Sequence, residues 1–188
     1  MNKKHTRDFK TKVECRSEQE EKTIEGYFAL FNDETELYPG IFESIDPQAF
    51  NNTLQSDVRG LINHDTSKVL GRTKSNTLEL TVDDKGLYGK IKINDKDQEA
   101  LNLYERVKRG DIDQCSFGFT IQDEEVTYGE DDTAHYRIKD LELFEVSVCT
   151  FPAYKNTGVE ARQEDLERHN KKKLELEKQR LKERLTNA

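Results

Sequence analysis

Hydrophobic and polar positions alternate with a period of two over much of the chain between residues 23 and 150, the spacing of strands whose side chains point to alternate faces. Ile24, Gly26, Phe28 and Leu30 alternate with Glu25, Tyr27, Ala29 and Phe31, which predicts a strand buried largely on both faces. Residues 58–63 are extended and deliver His64 at their end. Leu78, Leu80 and Val82 alternate, Asp83-Asp84-Lys85-Gly86 turns, and Leu87, Gly89, Ile91 and Ile93 alternate again, a hairpin. In residues 114–122, Cys115, Phe117, Phe119 and Ile121 face one way and Ser116, Gly118 and Thr120 the other. A second hairpin over residues 124–138 leads into a strand over 140–150, closed by Phe151 and Pro152.

The period lengthens to that of a helix in two short stretches inside this region. Asp46 is a natural N-cap and Pro47 fits the first helical position, which predicts a helix through Leu54 with Phe50 and Leu54 four residues apart. Asp95 or Asp97 can cap a second helix to Arg109, with Ala100, Leu103, Tyr104 and Val107 on one stripe and Gly110 just past its end. About seven strands and two short helices predict an α+β, mostly β fold: a closed or nearly closed β-barrel with the helices packed outside. This domain occupies residues 22–161. Residues 1–21 are polar and read as a flexible arm, at most a ragged strand from Phe9 to Cys15. From residue 162 onward, Leu166, Leu174, Leu176, Leu181 and Leu185 lie among Glu, Lys, Arg and Gln, the composition of a charged helical tail. That tail reads either as a solvated helix or as a coiled-coil or docking helix that grips a partner.

Composition locates the excess charge. Of 188 residues, 36% are charged and 33% hydrophobic, with a mean hydropathy of -0.96, which is polar for one compact domain; the two ends carry much of the difference. The net charge is -8, divided as +2 from residue 159 onward and -10 before it, and an acidic body argues against general nucleic-acid binding. No apolar run approaches the ~18 residues of a membrane span, and no apolar stretch follows the basic start, so neither membrane insertion nor conventional secretion is expected. Cys15, Cys115 and Cys149 are widely spaced and outside any CxxC pair, which fits reduced thiols and argues against structural zinc. The four histidines form no HxH or HExxH pair and no glycine-rich phosphate loop occurs. No metal or nucleotide cofactor is expected.

Three segments place chemically competent side chains in or beside apolar strands: Leu61-Ile62-Asn63-His64-Asp65, Asp113-Gln114-Cys115-Ser116-Phe117-Gly118-Phe119 and Leu143-Phe144-Glu145-Val146-Ser147-Val148. A serine hydroxyl is a weak nucleophile until an imidazole takes its proton, and the imidazole needs a further group to fix its tautomer. His64, Ser116 and Glu145 supply those three types. Each also has a plainer reading: a hydrogen-bonded histidine at a strand end, a small outward serine, an outward charge. Ser147 is an equally available hydroxyl on the same face as Glu145. Cys115 and Cys149 read as buried small apolar residues. Residue types alone stop at a β-rich domain with a charged tail.

The ordered set of motifs goes further. Gly26-Tyr27-Phe28-Ala29-Leu30-Phe31, Asp46-Pro47-x-Ala49-Phe50, Leu61-Ile62-Asn63-His64 with Leu70-Gly71-Arg72-Thr73, Gly86-Leu87-Tyr88, Lys108-Arg109-Gly110-Asp111 with Ser116-Phe117-Gly118-Phe119, and residues 143–153 follow one another in the order of a known family. From about residue 23 to 161 the chain resembles the prohead maturation proteases of tailed bacteriophages, a family related to the herpesvirus capsid assembly proteases. The resemblance implies a serine endopeptidase on a helix-decorated β-barrel, with His64 as general base, Ser116 as nucleophile and Glu145 as third member, Glu142 being its nearest competitor. It also implies a substrate, the major capsid protein or a scaffold protein and the protease itself, and a location inside the procapsid in the host cytoplasm. Relatives of the herpesvirus type act as dimers, so a homodimer is a candidate state. The same resemblance leaves open a non-catalytic assembly factor that uses the barrel as a binding module.

Overall fold

The computed structural model describes residues 4–9, 13–18, 21–31, 33–129, 133–151, 171, 174 and 178. Up to residue 151, the described residues form eleven strands and one α-helix in the order β1 (His5–Phe9), β2 (Val13–Glu18), β3 (Glu21–Leu30), β4 (Thr35–Tyr38), β5 (Ile41–Ile45), β6 (Arg59–Ile62), β7 (Asp65–Arg72), β8 (Leu78–Val82), β9 (Gly86–Lys92), α1 (Gln98–Arg109), β10 (Gln114–Tyr128) and β11 (Ala134–Cys149). The charged tail predicted from residue 162 lies almost wholly outside the described residues. No helix among them is long and apolar enough to cross a membrane.

The strands form two sheets. The smaller has the order β2-β3-β9-β8 and the larger the path β1-β10-β11-β5-β4, with β6 paired to β11 and β7 to β6. The fold is thus mostly β, as the alternation predicts, with one helix among the described residues of the domain where the sequence predicts two. Among the described residues, however, no pairing closes either sheet on itself into the expected barrel, and there are more strands than the seven foreseen. β10 and β11 form a long antiparallel ribbon, joining what the sequence divides into a strand and a separate hairpin; bulges near Asp123 bend it without ending it.

The far edge of β11 organises the larger sheet. Its first half pairs in parallel with β5, Ala134–Ile138 against Ile41–Ile45, and its second half in parallel with β6, Glu145 to Val148 against Arg59 to Ile62. Residues 46–58 cross the gap between these partners as a series of turns, where the sequence predicts a helix. Asp46 does cap the first turn, accepting from the Gln48 amide at 2.9 Å. Further on, the polar groups go to β11 instead: the Ala49 carbonyl accepts from the Leu141 amide at 3.2 Å and Thr53 Oγ1 from the Leu143 amide at 2.8 Å. Asn51, Asn52 and Thr53 are weak helix formers, so these tertiary bonds prevail.

Residues 5–9 and 13–18 are also strands, in a stretch where the sequence offers at most a ragged strand from Phe9 to Cys15. β1 pairs with β10 and β2 with β3. His5 and Arg7 of β1 are polar and buried, which hides its period: His5 stacks on Phe119 with centroids 5.5 Å apart, and Arg7 meets buried Glu43, Nη2 to Oε2 at 2.8 Å. α1 matches its prediction from cap to cap. Asp97 accepts from the Glu99 and Ala100 amides, Ala100, Leu103, Tyr104 and Val107 are buried, and Gly110 takes the left-handed conformation at φ 85°. One main core joins both sheets and this helix, with Phe28, Phe50, Phe117 and Phe119 among its largest members.

Candidate active site

The candidate residues converge on the face of the β10–β11 ribbon opposite the core. Cys115, Phe117 and Phe119 of β10 point into the core with Val146 and Val148 of β11. Phe117 and Phe119 stack at 4.8 Å, and Phe117 lies against Phe50 at 5.9 Å. Their neighbours at odds with this period, Ser116, Gly118, Glu145, Ser147 and Cys149, share the other face. In the antiparallel register Ser116 lies directly opposite Ser147 and Gly118 opposite Glu145, and such pairs bring side chains together on one side of the sheet.

His64 reaches this face from the hairpin joining β6 and β7. Ile62 pairs with Asp65, and the two residues between them both have positive φ, 50° at Asn63 and 59° at His64. A two-residue hairpin needs this left-handed pair, usually supplied by Asn-Gly; His64 stands where glycine is favoured, a costly conformation that the surroundings must hold. The end of β11 holds it. The Asn63 amide donates to the Val148 carbonyl at 3.0 Å, Asn63 Oδ1 accepts from the Thr150 amide at 2.8 Å, and the His64 amide donates to Ser147 Oγ at 3.1 Å.

The imidazole lies on Glu145, with His64 Nδ1 2.7 Å from Glu145 Oε1. An ionised carboxylate can only accept, so Nδ1 carries the proton and Nε2 offers its lone pair. Nε2 is 3.8 Å from Cys149 Sγ. The other carboxylate oxygen, Oε2, accepts from Ser147 Oγ at 2.5 Å. A Cβ at Gly118 would overlap the Glu145 side chain; the glycine makes the space in which the carboxylate sits.

Ser116 and Ser147 are both fully buried. The Ser116 hydroxyl donates to the Arg7 carbonyl of β1 at 2.9 Å. The structure therefore brings His64 and Glu145 into contact and sets Ser116 one residue across the sheet from them, with its proton turned to β1. Glu142 is elsewhere: it is exposed, opposite Thr120, and its Oε2 accepts from Gln122 at 3.5 Å. Asp65, the carboxylate beside His64 in sequence, is also committed elsewhere. It accepts from the Ser67 hydroxyl at 2.6 Å and the Ser67 amide at 2.9 Å, which together hold its carboxyl below the usual range.

Below the hairpin, Asp57 ties the base of β6 to β7. Arg72 donates to it at 2.6 and 2.5 Å and Arg59 at 3.2 Å; the Arg72 hydrogen bonds lead in pulling its carboxyl down to about 2. Asn63, Gly118 and the Arg7 carbonyl were not singled out by residue chemistry. The signal for Gly118 was its place in the Ser-Phe-Gly-Phe alternation, and for Asn63 its place before the histidine. Among the described residues no group of three or more His, Cys, Asp or Glu side chains is placed to hold a metal.

Comparison with known proteins supplies the remaining observations. A sequence model described as Caudovirus prohead serine protease matches residues 8–172. The chain is 29% identical over 155 residues to the prohead protease of Enterobacteria phage HK97, covering 80% of this chain and 64% of that protein's length. Among solved structures it is similar to the capsid assembly protease of bacteriophage T4, with a TM-score of 0.45 and 10% identity over 77% of this chain and 98% of that one.

Proposed function

We propose that this chain, which belongs to the caudovirus prohead serine protease family, is a serine endopeptidase of procapsid maturation in which Ser116, His64 and Glu145 do the chemistry. The observation that carries the reading is the His64–Glu145 contact of 2.7 Å on the face that also bears Ser116. In the reaction, rotation of the Ser116 side chain away from the Arg7 carbonyl turns Oγ toward His64 Nε2. Oγ attacks the scissile carbonyl as Nε2 takes its proton, and the imidazolium is stabilised by Glu145. The same proton then passes to the leaving amine, and His64 activates the water that releases the acyl group.

The substrate class is the capsid protein or a scaffold protein, with self-cleavage and a homodimer as further parts of the proposal. The charged tail from residue 162 serves as a docking helix for scaffold segments. Mass spectrometry of all chains after co-expression with the capsid and scaffold proteins tests the reading. A shortened substrate is expected with the wild type and an uncut one with Ser116→Ala, His64→Ala or Glu145→Ala. A chain lacking residues 162–188 should keep its activity and be depleted from particles; equal incorporation rejects the docking role. Cleavage that persists in Ser116→Ala overturns the nucleophile, and no cleavage by the wild type favours the alternative of a non-catalytic assembly factor.

A further inference from the structure

We infer that Ser147 is a positioning residue that locks the His64–Glu145 pair, an inference that rests on the proposed roles of those two residues. A hydroxyl has one proton and two lone pairs, and Ser147 spends its proton and one lone pair within the site. It donates to Glu145 Oε2 at 2.5 Å and accepts from the His64 main-chain amide at 3.1 Å. Because His64 Nδ1 is bonded to Glu145 Oε1, the three contacts form a closed ring. It runs from the main chain of His64 through Ser147 and Glu145 back to the imidazole of the same residue.

The ring fixes two things that a bare His–Glu contact leaves loose. With each carboxylate oxygen bound to a different partner, Glu145 cannot rotate about its terminal bond without losing a hydrogen bond. With the His64 amide held, the left-handed backbone of the hairpin is tied to β11 at the residue that carries the ring. Ser147 is fully buried, so water cannot replace either bond without opening the sheet. With its proton given to Glu145, Ser147 serves the carboxylate, while Ser116, directly across the ribbon, keeps the proposed role of nucleophile.

The test compares wild type with Ser147→Ala and Ser147→Thr in the full chain, using a readout of His64 and one of Ser116. The first is the downfield proton resonance of His64 Nδ1–H, assigned by its loss in His64→Ala. It should be present in the wild type, broadened or absent in Ser147→Ala at the same pH, and restored in Ser147→Thr. An unchanged resonance in Ser147→Ala overturns the inference. The second is labelling by a fluorophosphonate probe, in which a Ser116 Oγ–P bond forms, the P–F bond breaks, fluoride leaves and the hydroxyl proton goes to His64. The labelling rate should fall on the order of 10- to 100-fold in Ser147→Ala, as for a misplaced catalytic group, and recover in Ser147→Thr.

The outcomes separate the two levels of argument. Labelling that persists in Ser116→Ala, or is absent from the wild type, overturns the functional reading while the resonance still decides the role of Ser147. Wild-type labelling in Ser147→Ala with Ser116→Ala unlabelled leaves that reading standing and rejects the ring. Thermal melting confirms that the variants are folded; if Ser147→Ala is not, Ser147→Cys, a near-isostere with a weaker donor, should give an intermediate resonance and rate, and wild-type values there reject the inference.

Discussion

The two faces of the β10–β11 ribbon differ in what a side chain can contribute there. On one face Phe117, Phe119, Val146 and Val148 are buried among apolar neighbours from both sheets, and each is held by dispersion and exclusion of water. On the other, Ser116, Glu145 and Ser147 are held by a few directional hydrogen bonds. Since adjacent residues of a strand belong to opposite faces, the apolar side fixes the Cα positions from which the polar side reaches out. The chemistry borrows its rigidity from residues one step away in sequence.

Phe117→Ala and Ser116→Ala, adjacent in sequence but on opposite faces, should differ most in their effects. Phe117→Ala should lose about 3–5 kcal/mol of stability, as large core truncations do, whereas Ser116→Ala should abolish fluorophosphonate labelling with a loss of only about 1 kcal/mol, that of one hydrogen bond. Denaturant melts and labelling of the two variants side by side check this; equal destabilisation would mean the faces are not distinct. Gly118→Ala is the next test, because the added methyl invades the space of the Glu145 carboxylate. We expect a cost of about 1–3 kcal/mol from overpacking together with loss of the His64 downfield resonance; a resonance that survives would show that Glu145 can relocate without leaving His64.

The smallest effect lies at the base of the hairpin. The Asp57 carboxyl is held at about 2 against an ordinary 3.8. A carboxyl depressed in the folded state stabilises the fold above its ordinary pKa and loses that contribution as pH falls toward the folded value. The gap in urea midpoint between wild type and Asp57→Asn should therefore be constant above about pH 4 and shrink between about pH 4 and pH 2. A gap independent of pH would remove Asp57 as a support of β6.

What could be read in the sequence divides along similar lines. α1 and the β8–β9 hairpin were legible to within a residue or two because their signals are local: a capping aspartate, a terminal glycine, an apolar stripe, a turn between alternating runs. The alternation of residues 115–121 correctly separated the core face from the polar one. The turns at residues 46–58 were not legible, since what breaks the predicted helix is the demand of Leu141 and Leu143 for acceptors, nearly a hundred residues away. β1 was hidden because Arg7 becomes a buried residue only through Glu43. The resemblance to the prohead proteases picked out His64, Ser116 and Glu145, but the register that sets Ser147 between them lies in the parallel pairing of β6 with β11, for which no local pattern exists.

That pairing has a consequence for how the protein comes into being. The contacts of His64 within the site join residues 81 and 83 positions apart, and Ser116 meets its carbonyl partner across 109. A chain emerging from the ribosome can form α1 and the β8–β9 hairpin early, but His64 has neither Glu145 nor Ser147 to meet until β11 has been synthesised. Contacts this distant are also slow to close once they can form. The arrangement is its own timer: no copy can possess the site before β11, the last strand of the domain, has been made.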